Sequence, residues 1–264
     1  MTASVDPRVL HDQYAEPSRL SARQAVWQFR TGPSLLDAIL DRAAPRPGAT
    51  VADVGCGNGR FLADLRRRGH TGPLLGLDHS AGMARASAAY ASTAVADAQA
   101  LPLRDDSVDV ALCLHMLYHV PDIGRAVAEL RRVVRPGGTV VVATNGDGHA
   151  DEIRLILAEA VRAVVGVDAT LEWSNTRFNT GHARAALAGA FDEVDVHEHV
   201  GTSVVPDEAL IRGYAASWPP EAVGLTAGPT WSAVLAETER AVAAHFADRP
   251  TFDLTSRASV LTCR

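Results

Sequence analysis

Val51-Ala52-Asp53-Val54-Gly55-Cys56-Gly57-Asn58-Gly59 is the stretch that decides the fold. Thr50 to Val54 has the apolar run of a buried strand, glycines follow at alternate positions, and a helix through Phe61, Leu62 and Leu65 comes next, stopped by Gly69. Glycines permit a tight turn and let a ligand approach the backbone closely. The helix that opens behind them offers unpaired N–H groups. Their order is G-x-G-x-G, not the G-x-G-x-x-G of dinucleotide-binding turns. Asp53 stands just ahead of the turn, where a carboxylate can accept from a ligand amine or a backbone N–H.

Outward from this turn, strand and helix alternate. Leu74 to Leu77 is a second strand, and Ser80 is placed to cap a helix running to Tyr90. A short third strand ends near Ala96, and a fourth runs from Val108 to about Leu114. Asp122 caps a helix whose buried face is Ile123, Val127, Leu130 and Val134, ended by Pro136-Gly137-Gly138. Thr139 to Ala143 is a fifth strand, apolar on both faces. This alternation predicts an α/β fold, a parallel sheet with helices on both sides. Upstream, residues 1–47 form an expected N-terminal helical arm, with Trp27, Phe29, Leu36, Ile39 and Leu40 at helical spacings. Downstream, helices are expected over Asp151–Val165, His182–Ala190, Asp207–Ala216 and Trp231–Phe246, and strands over Phe191–Val205 and Thr251–Cys263. The main domain is expected over 48–264, with 145–178 and 206–250 as insertions at the end of the sheet.

Composition narrows the chemistry. The 264 residues contain no lysine: all 25 basic residues are arginine, against 31 acidic ones, for a net charge of −6. That excludes a Schiff-base lysine, pyridoxal-phosphate chemistry and a P-loop with its phosphate-binding lysine. An acidic chain also argues against a nucleic-acid partner, which needs a basic face. The lysine-free composition suggests GC-rich coding, common where secondary metabolites are made. The 3 widely spaced cysteines imply neither a disulfide framework nor a zinc site, and fit a reducing compartment. Residues 1–30 lack the apolar core of a signal peptide, and no stretch approaches the roughly 18 apolar residues of a membrane helix. A soluble cytoplasmic protein, monomer or homodimer, with no membrane partner is expected. His197 and His199 share a strand face and could chelate a metal. Glu193 and Asp195 share that face, so a solvated surface is expected and no metal. The arginine runs Arg66–Arg68 and Arg131–Arg132 sit where helix dipoles favour cations.

Further motifs follow the first. In Gly76-Leu77-Asp78-His79-Ser80, Asp78 ends the second strand, where an acid can accept both hydroxyls of a ribose. With the glycine turn, this places an adenosine-containing ligand across strands one and two. In Ala96-Asp97-Ala98 a carboxylate suits the exocyclic amine of adenine. Asp106-Ser107-Val108-Asp109-Val110-Ala111-Leu112 leads into His115-Met116-Leu117-Tyr118-His119, and Leu130-Arg131-Arg132-Val133-Val134-Arg135-Pro136-Gly137-Gly138-Thr139 follows.

Over residues 48–145 these motifs, in this order, resemble the class I S-adenosylmethionine-dependent methyltransferases. The likeness is to the branch that includes ubiquinone and menaquinone biosynthesis enzymes and many small-molecule methyltransferases. The resemblance implies a Rossmann-like, mostly parallel sheet of about seven strands, the last antiparallel between the fifth and sixth. It implies S-adenosyl-L-methionine as cofactor, with Asp53, Gly55, Cys56 and Gly57 near its methionine end. It implies ribose binding by Asp78, adenine stacking by His79 or Met83, an amine contact at Asp97 and Ala98, and contact with the backbone near Leu114.

A sulfonium methyl is already a strong electrophile, so such an enzyme works mainly by alignment. A base is needed only for a nucleophile that must lose a proton. His115 and His119, after the fourth strand, are the candidates. Residues 1–30 and the two insertions are expected to close over a small-molecule acceptor, with Tyr14 and Arg19 near the cofactor's carboxylate. Tyr118, His149, Trp173, Phe178 and Trp218 are the expected acceptor contacts, an aromatic supply that suits an apolar or ring-bearing acceptor. Two other readings stay open: a nicotinamide-dependent oxidoreductase and a non-catalytic S-adenosylmethionine-binding protein.

Overall fold

The computed structural model describes Tyr14, residues 17–166 and residues 178–264. The strands are β1 (Arg30–Thr31), β2 (Val51–Val54), β3 (Leu74–Asp78), β4 (Ser92–Val95), β5 (Val108–Leu114), β6 (Val134–Asn145), β7 (Val194–Val205) and β8 (Phe252–Cys263). They form one sheet in the order β1-β7-β8-β6-β5-β2-β3-β4. From β4 to β6 every pairing is parallel, while β8 lies antiparallel between β6 and β7. The expected sheet gains an eighth strand, because Arg30 and Thr31 pair antiparallel with Ser203 and Thr202 on β7. Trp27 and Phe29 therefore lie not on a long helix but on a short 3-10 turn, Val26–Phe29, that feeds this strand.

The helices are α1 (Ser18–Ala25), α2 (Leu35–Ala43), α3 (Arg60–Arg67), α4 (Ala81–Ser87), α5 (Ile123–Val133), α6 (Asp151–Val165), α7 (Thr180–Ala188), α8 (Glu208–Ala216) and α9 (Pro229–Asp248). Their starts follow side-chain chemistry. Ser34, Ser80, Asp122, Asn179 and Asp207 each accept a backbone N–H of the first turn. On one sheet face Ala52, Val54, Ala111, Cys113, Val140 and Val142 share a core with Val127 and Leu130 of α5 and Leu187 of α7. On the other, Val51, Leu112, Val141 and Val260 share one with Ile39 of α2 and Leu62 of α3. Each of the valine, leucine and isoleucine side chains among them, fully buried, contributes about 1.5–3 kcal/mol.

Pro136-Gly137-Gly138 does not terminate α5. The helix ends at Val133 and β6 begins at once, with an irregular register against β5 between Val108 and Val110. Gly137 has φ +75°, and a Cβ on Gly138 would lie 2.5 Å from Val134 Cγ1, so the pair fits only as glycine. The arginine runs do more than complement dipoles. Arg66 donates to the carbonyls of His70 and Gly72 at 2.9 Å each, and Arg132 to those of Leu101 and Leu103 at 3.1 and 2.8 Å. They staple the loops on either side of the Rossmann turns.

On β7 the expected solvated face is exposed at Glu193 and Asp195 but covered at its far end. His199 is buried and its Nε2 bonds the Pro33 carbonyl at 3.0 Å, whereas Val200 is exposed. The added strand and the loop after it cover that side of β7 beyond His197. Among the described residues no His, Cys, Asp and Glu cluster is arranged to hold a metal, and no helix is long and apolar enough to cross a membrane.

Candidate functional site

The sequence reverses direction through the sheet at β2, which has β3 on one side and β5 on the other. That switch point opens a crevice at the carboxyl ends of the strands. Gly55, Gly57 and Gly59 all have positive φ, +76°, +54° and +79°, which L side chains rarely adopt. The N–H groups of Gly55, Cys56, Gly57 and Gly59 are spent internally. Those of Gly55 and Cys56 reach the Leu77 carbonyl at 2.7 and 3.1 Å, that of Gly59 reaches the Cys56 carbonyl at 3.0 Å, and that of Gly57 reaches Asp78 Oδ2 at 2.8 Å. Such a loop offers a bare backbone surface rather than a ring of amides for a phosphate. It is covered on one side by Leu20 of α1, 3.0 Å from a Cβ on Gly57, and on the other by Met116, 2.6 Å from a Cβ on Gly55.

Two carboxylates flank the loop. Asp78 bridges it to the next turn, accepting from Gly57 N and from Ser80 N at 2.8 Å each. Asp53 is 1% exposed and neither carboxylate oxygen has a hydrogen-bond partner. Burial, and secondarily the charge of Asp78, pushes its pKa up to about 7. A buried, unsatisfied acceptor is costly and suits a ligand donor.

After β5 the chain turns through His115, a non-glycine residue at φ +54°, and then a 3-10 turn, Leu117–His119. Backbone in this region costs about 1–3 kcal/mol and persists only where packing enforces it. Here the His115 N–H is held by the Ala143 carbonyl at 2.8 Å. Burial first, with the charge of Arg60 adding to it, lowers the His115 pKa to about 4, so the ring is neutral at physiological pH. Behind it, burial and the charge of Arg154 lower the His149 pKa to about 3. His149 Nδ1 accepts the Arg257 N–H at 3.1 Å and its ring lies 4.8 Å from that of Trp27.

Over this floor sits a cap of side chains from distant segments. The Ser80 hydroxyl donates to the Tyr14 carbonyl at 2.7 Å, anchoring the arm to β3. The Tyr14 hydroxyl meets His119 Nε2 at 3.0 Å and accepts from Arg23 at 3.3 Å. Gln24 of α1 accepts from Asn58 of the glycine loop at 2.9 Å. Arg23 also donates to the Ser217 carbonyl at 3.2 Å and lies over Trp218, 5.9 Å from the ring centroid. Arg154 of α6 lies over the same ring at 5.6 Å. Tyr214 of α8 packs against Trp27 and Trp218.

The expected residues divide accordingly. Asp53, Gly55, Gly57 and Asp78 lie at the ends of β2 and β3, with Leu114 at the end of β5, whereas Met83 is fully buried in α4. His79 is beside them on the surface. Asp97 is exposed and bonds the Gln99 amide N–H at 2.8 Å, with Ala98 buried behind it. Tyr14, Tyr118, His119 and Trp218 meet in the cap. The N–H and carbonyl of Cys56 are used within the loop, and its thiol lies against Ser87 at 3.3 Å. Arg19 lies on the exposed side of α1, and Arg23 one turn later enters the cap. Phe178 is 1% exposed in the core shared with Cys113, Leu117 and Leu187. His149 supports the floor from within rather than facing the crevice. Trp173 lies outside the described residues. Arg23, Arg154, Met116 and Asn145 were not singled out by the sequence. Of these only Arg154 had a signal, a lone charge among Ile153, Ile156 and Leu157.

Residues 52–142 match the family model described as a methyltransferase domain. The chain is 36% identical over 148 residues to the malonyl-[acyl-carrier protein] O-methyltransferase of Methylococcus capsulatus, covering 54% of this chain and 52% of that protein. It is 32% identical over 179 residues to the ubiquinone biosynthesis O-methyltransferase of Klebsiella pneumoniae, covering 61% of this chain and 72% of that one. The chain spans between 39% and 61% of the length of the first curated relatives it matches. In fold it is similar to the solved [4+2]-cyclase SpnF, with a TM-score of 0.62 at 15% identity over 100% of this chain and 98% of that one.

Proposed function

Because the chain belongs to the class I S-adenosylmethionine-dependent methyltransferases, we propose that it transfers the methyl group of S-adenosylmethionine to a small-molecule acceptor held under the cap. The observation that carries this reading is the buried, unpartnered Asp53 carboxylate at the foot of a glycine loop in which the N–H groups of Gly55, Cys56, Gly57 and Gly59 are already spent. An open anionic acceptor suits the ammonium end of a methionine better than a pyrophosphate, which counts against the nicotinamide reading.

When bound, S-adenosylmethionine supplies an electrophilic methyl on a sulfonium. The chain's own residues then bind, orient and exclude water. Asp78 is placed for the ribose, with Met83 and His79 on the adenine side and Asp97 and Ala98 beyond them. Gly55 and Gly57 let the ligand lie against the backbone, and Leu20 and Met116 close over it. Tyr14, residues 17–30 and the helices α6, α8 and α9 act as the lid, latched by Tyr14 to Ser80 and His119. Holding acceptor and methyl in line behind that lid supplies most of the rate. Where the acceptor has a proton to lose, His115 takes it, or His119 through the Tyr14 hydroxyl. His115 starts neutral, but a group held near pKa 4 is a weak base, which favours an acceptor that is itself acidic.

Incubation with methyl-labelled S-adenosylmethionine and an acceptor panel is the test. Label appearing in an acceptor supports transfer. Cofactor binding with no transfer to any acceptor leaves the non-catalytic binding protein as the better account.

A further inference from the structure

Away from the methyl-transfer site, we propose that β4 is a docking edge for a second copy of this chain, the two β4 strands pairing antiparallel about a twofold axis at Ala94. Among the described residues β4 ends one side of the sheet and pairs only with β3. Successive residues of a strand aim their N–H and C=O groups at opposite edges. The Ala96 N–H donates to the Asp78 carbonyl at 2.9 Å, so the backbone groups of Ala94 and Ala96 are spent on β3. Those of Thr93 and Val95 therefore point away from the sheet, and the Val95 side chain beside them is 59% exposed. Such a row of open donors and acceptors is a template for another strand.

Sheets guard such edges with charge, with proline or by keeping the strand short. The opposite side of this sheet is guarded. There β1 has 2 residues, and the part of β7 that β1 leaves unpaired carries Asp195 and Glu198, acids that repel a copy of themselves. β4 has only its shortness. From Ala86 to Ala96 there is neither a charged residue nor a proline, in a chain of net charge −6. The outward groups then fix the register. With the axis at Ala94, Thr93 of each copy stands opposite Val95 of the other, and each of those pairs exchanges two hydrogen bonds. Ala94, exposed on β4, faces its own counterpart in the close pairing, where Cα atoms stand about 4.5 Å apart and a small side chain fits. Asp97 of each copy is carried opposite Ala91 of the other, toward the end of the strand at which α4 packs with its exposed Arg85. Unlike charges thus flank the uncharged run at both ends. The pairing consumes the open edge of each copy, so the assembly closes as a dimer.

Analytical ultracentrifugation of the full chain over a wide range of concentration is the test. The wild-type chain should be a reversible dimer, and a monomer at every concentration overturns the proposal. Val95→Pro removes an outward N–H at an edge position, where proline is tolerated. It should leave the circular dichroism unchanged and weaken the dimer roughly tenfold or more, since the pair of copies loses two hydrogen bonds. Ala94→Glu and Ala94→Arg each oppose like charges across the axis and should each weaken self-association. Mixed together, these two variants should form a one-to-one heterodimer. Amide hydrogen exchange at Thr93 and Val95 should be slow in the wild-type dimer and fast in Ala94→Glu. A dimer that persists unchanged in folded Val95→Pro and Ala94→Glu uses another surface and overturns the proposal. So does a mixture of the two charge variants that stays monomeric.

Discussion

At the ends of β2 and β3 the site is made of backbone: glycines at positive φ, amides spent within the loop, one buried carboxylate. Above the ends of β5 and β6 it is made of side chains, from Tyr14, Arg23, Tyr118, Arg154, Tyr214 and Trp218. The first region is assembled by residues 53–78, within one strand-turn-helix-strand unit. The second brings together segments some 200 residues apart. A backbone surface serves a ligand that never changes, whereas side chains on inserted helices can be exchanged without disturbing the sheet. The match to the methyltransferase domain model, residues 52–142, falls on the first region and stops short of most of the second. The SpnF likeness makes the same point from the other side, since a [4+2]-cyclase shares this fold.

The sharpest division between the regions comes from Gly57→Val. A branched side chain at φ +54°, with its Cβ 3.0 Å from Leu20, should remove S-adenosylhomocysteine binding altogether while the sheet still forms. Circular dichroism alongside calorimetry checks both halves, and a folded variant with wild-type affinity would take the loop out of the site. On the cap side, His115→Ala and His119→Ala should spare cofactor affinity. The one that removes the base should lower turnover by roughly 10²–10⁴. A rate profile whose acid limb lies near pH 4 points to His115, and a limb well above that value assigns the proton to another group.

Asp78→Ala should weaken S-adenosylhomocysteine by roughly 10- to 100-fold, the worth of about 1.5–3 kcal/mol for a hydrogen bond to a charged group. Unchanged affinity in that variant would remove Asp78 from the site. The smallest effect is on stability against pH, and its sign differs between the regions. Asp53 is raised to about 7, so it binds its proton more tightly folded than unfolded, and its contribution is lost as pH rises from about 4 to 7. His149 is lowered to about 3, so its contribution is lost as pH falls below about 6.5 toward 3. Thermal unfolding across pH 4–7 should show Asp53→Asn abolishing the first slope and His149→Gln the second. Identical slopes in all three proteins would mean that neither group is buried as described.

The sequence reveals the backbone region because its determinants are local. A strand ending in Asp53, glycines at alternate positions and an acid at the end of the next strand are visible in a single row of residues. Caps at Ser80 and Asp122 follow from the same short-range chemistry. The added strand β1 has no such signature, since two residues carry no period, and they pair with the edge of β7 opposite β8. Pro136-Gly137-Gly138 has the look of a helix end and is a bulge, because Val134 already pairs with Val108. The cap was legible only as an aromatic supply. Arg23 is one of 25 arginines, and nothing in its immediate neighbours distinguishes it from the solvated ones, while Arg154 differs only in standing among Ile153, Ile156 and Leu157. Arg19 and Arg23 are one turn apart on α1, and tertiary contact with Trp218 decides which of them enters the site.

The division between a constant cofactor floor and a selective cap depends on S-adenosylmethionine occupying the end of β2. Titration of the purified chain with S-adenosylhomocysteine, and in parallel with NAD, tests this most directly. The account predicts one S-adenosylhomocysteine per chain, no heat from NAD, and loss of the first signal in Gly57→Val. Binding of NAD in its place, or S-adenosylhomocysteine affinity indifferent to Gly57, would contradict it.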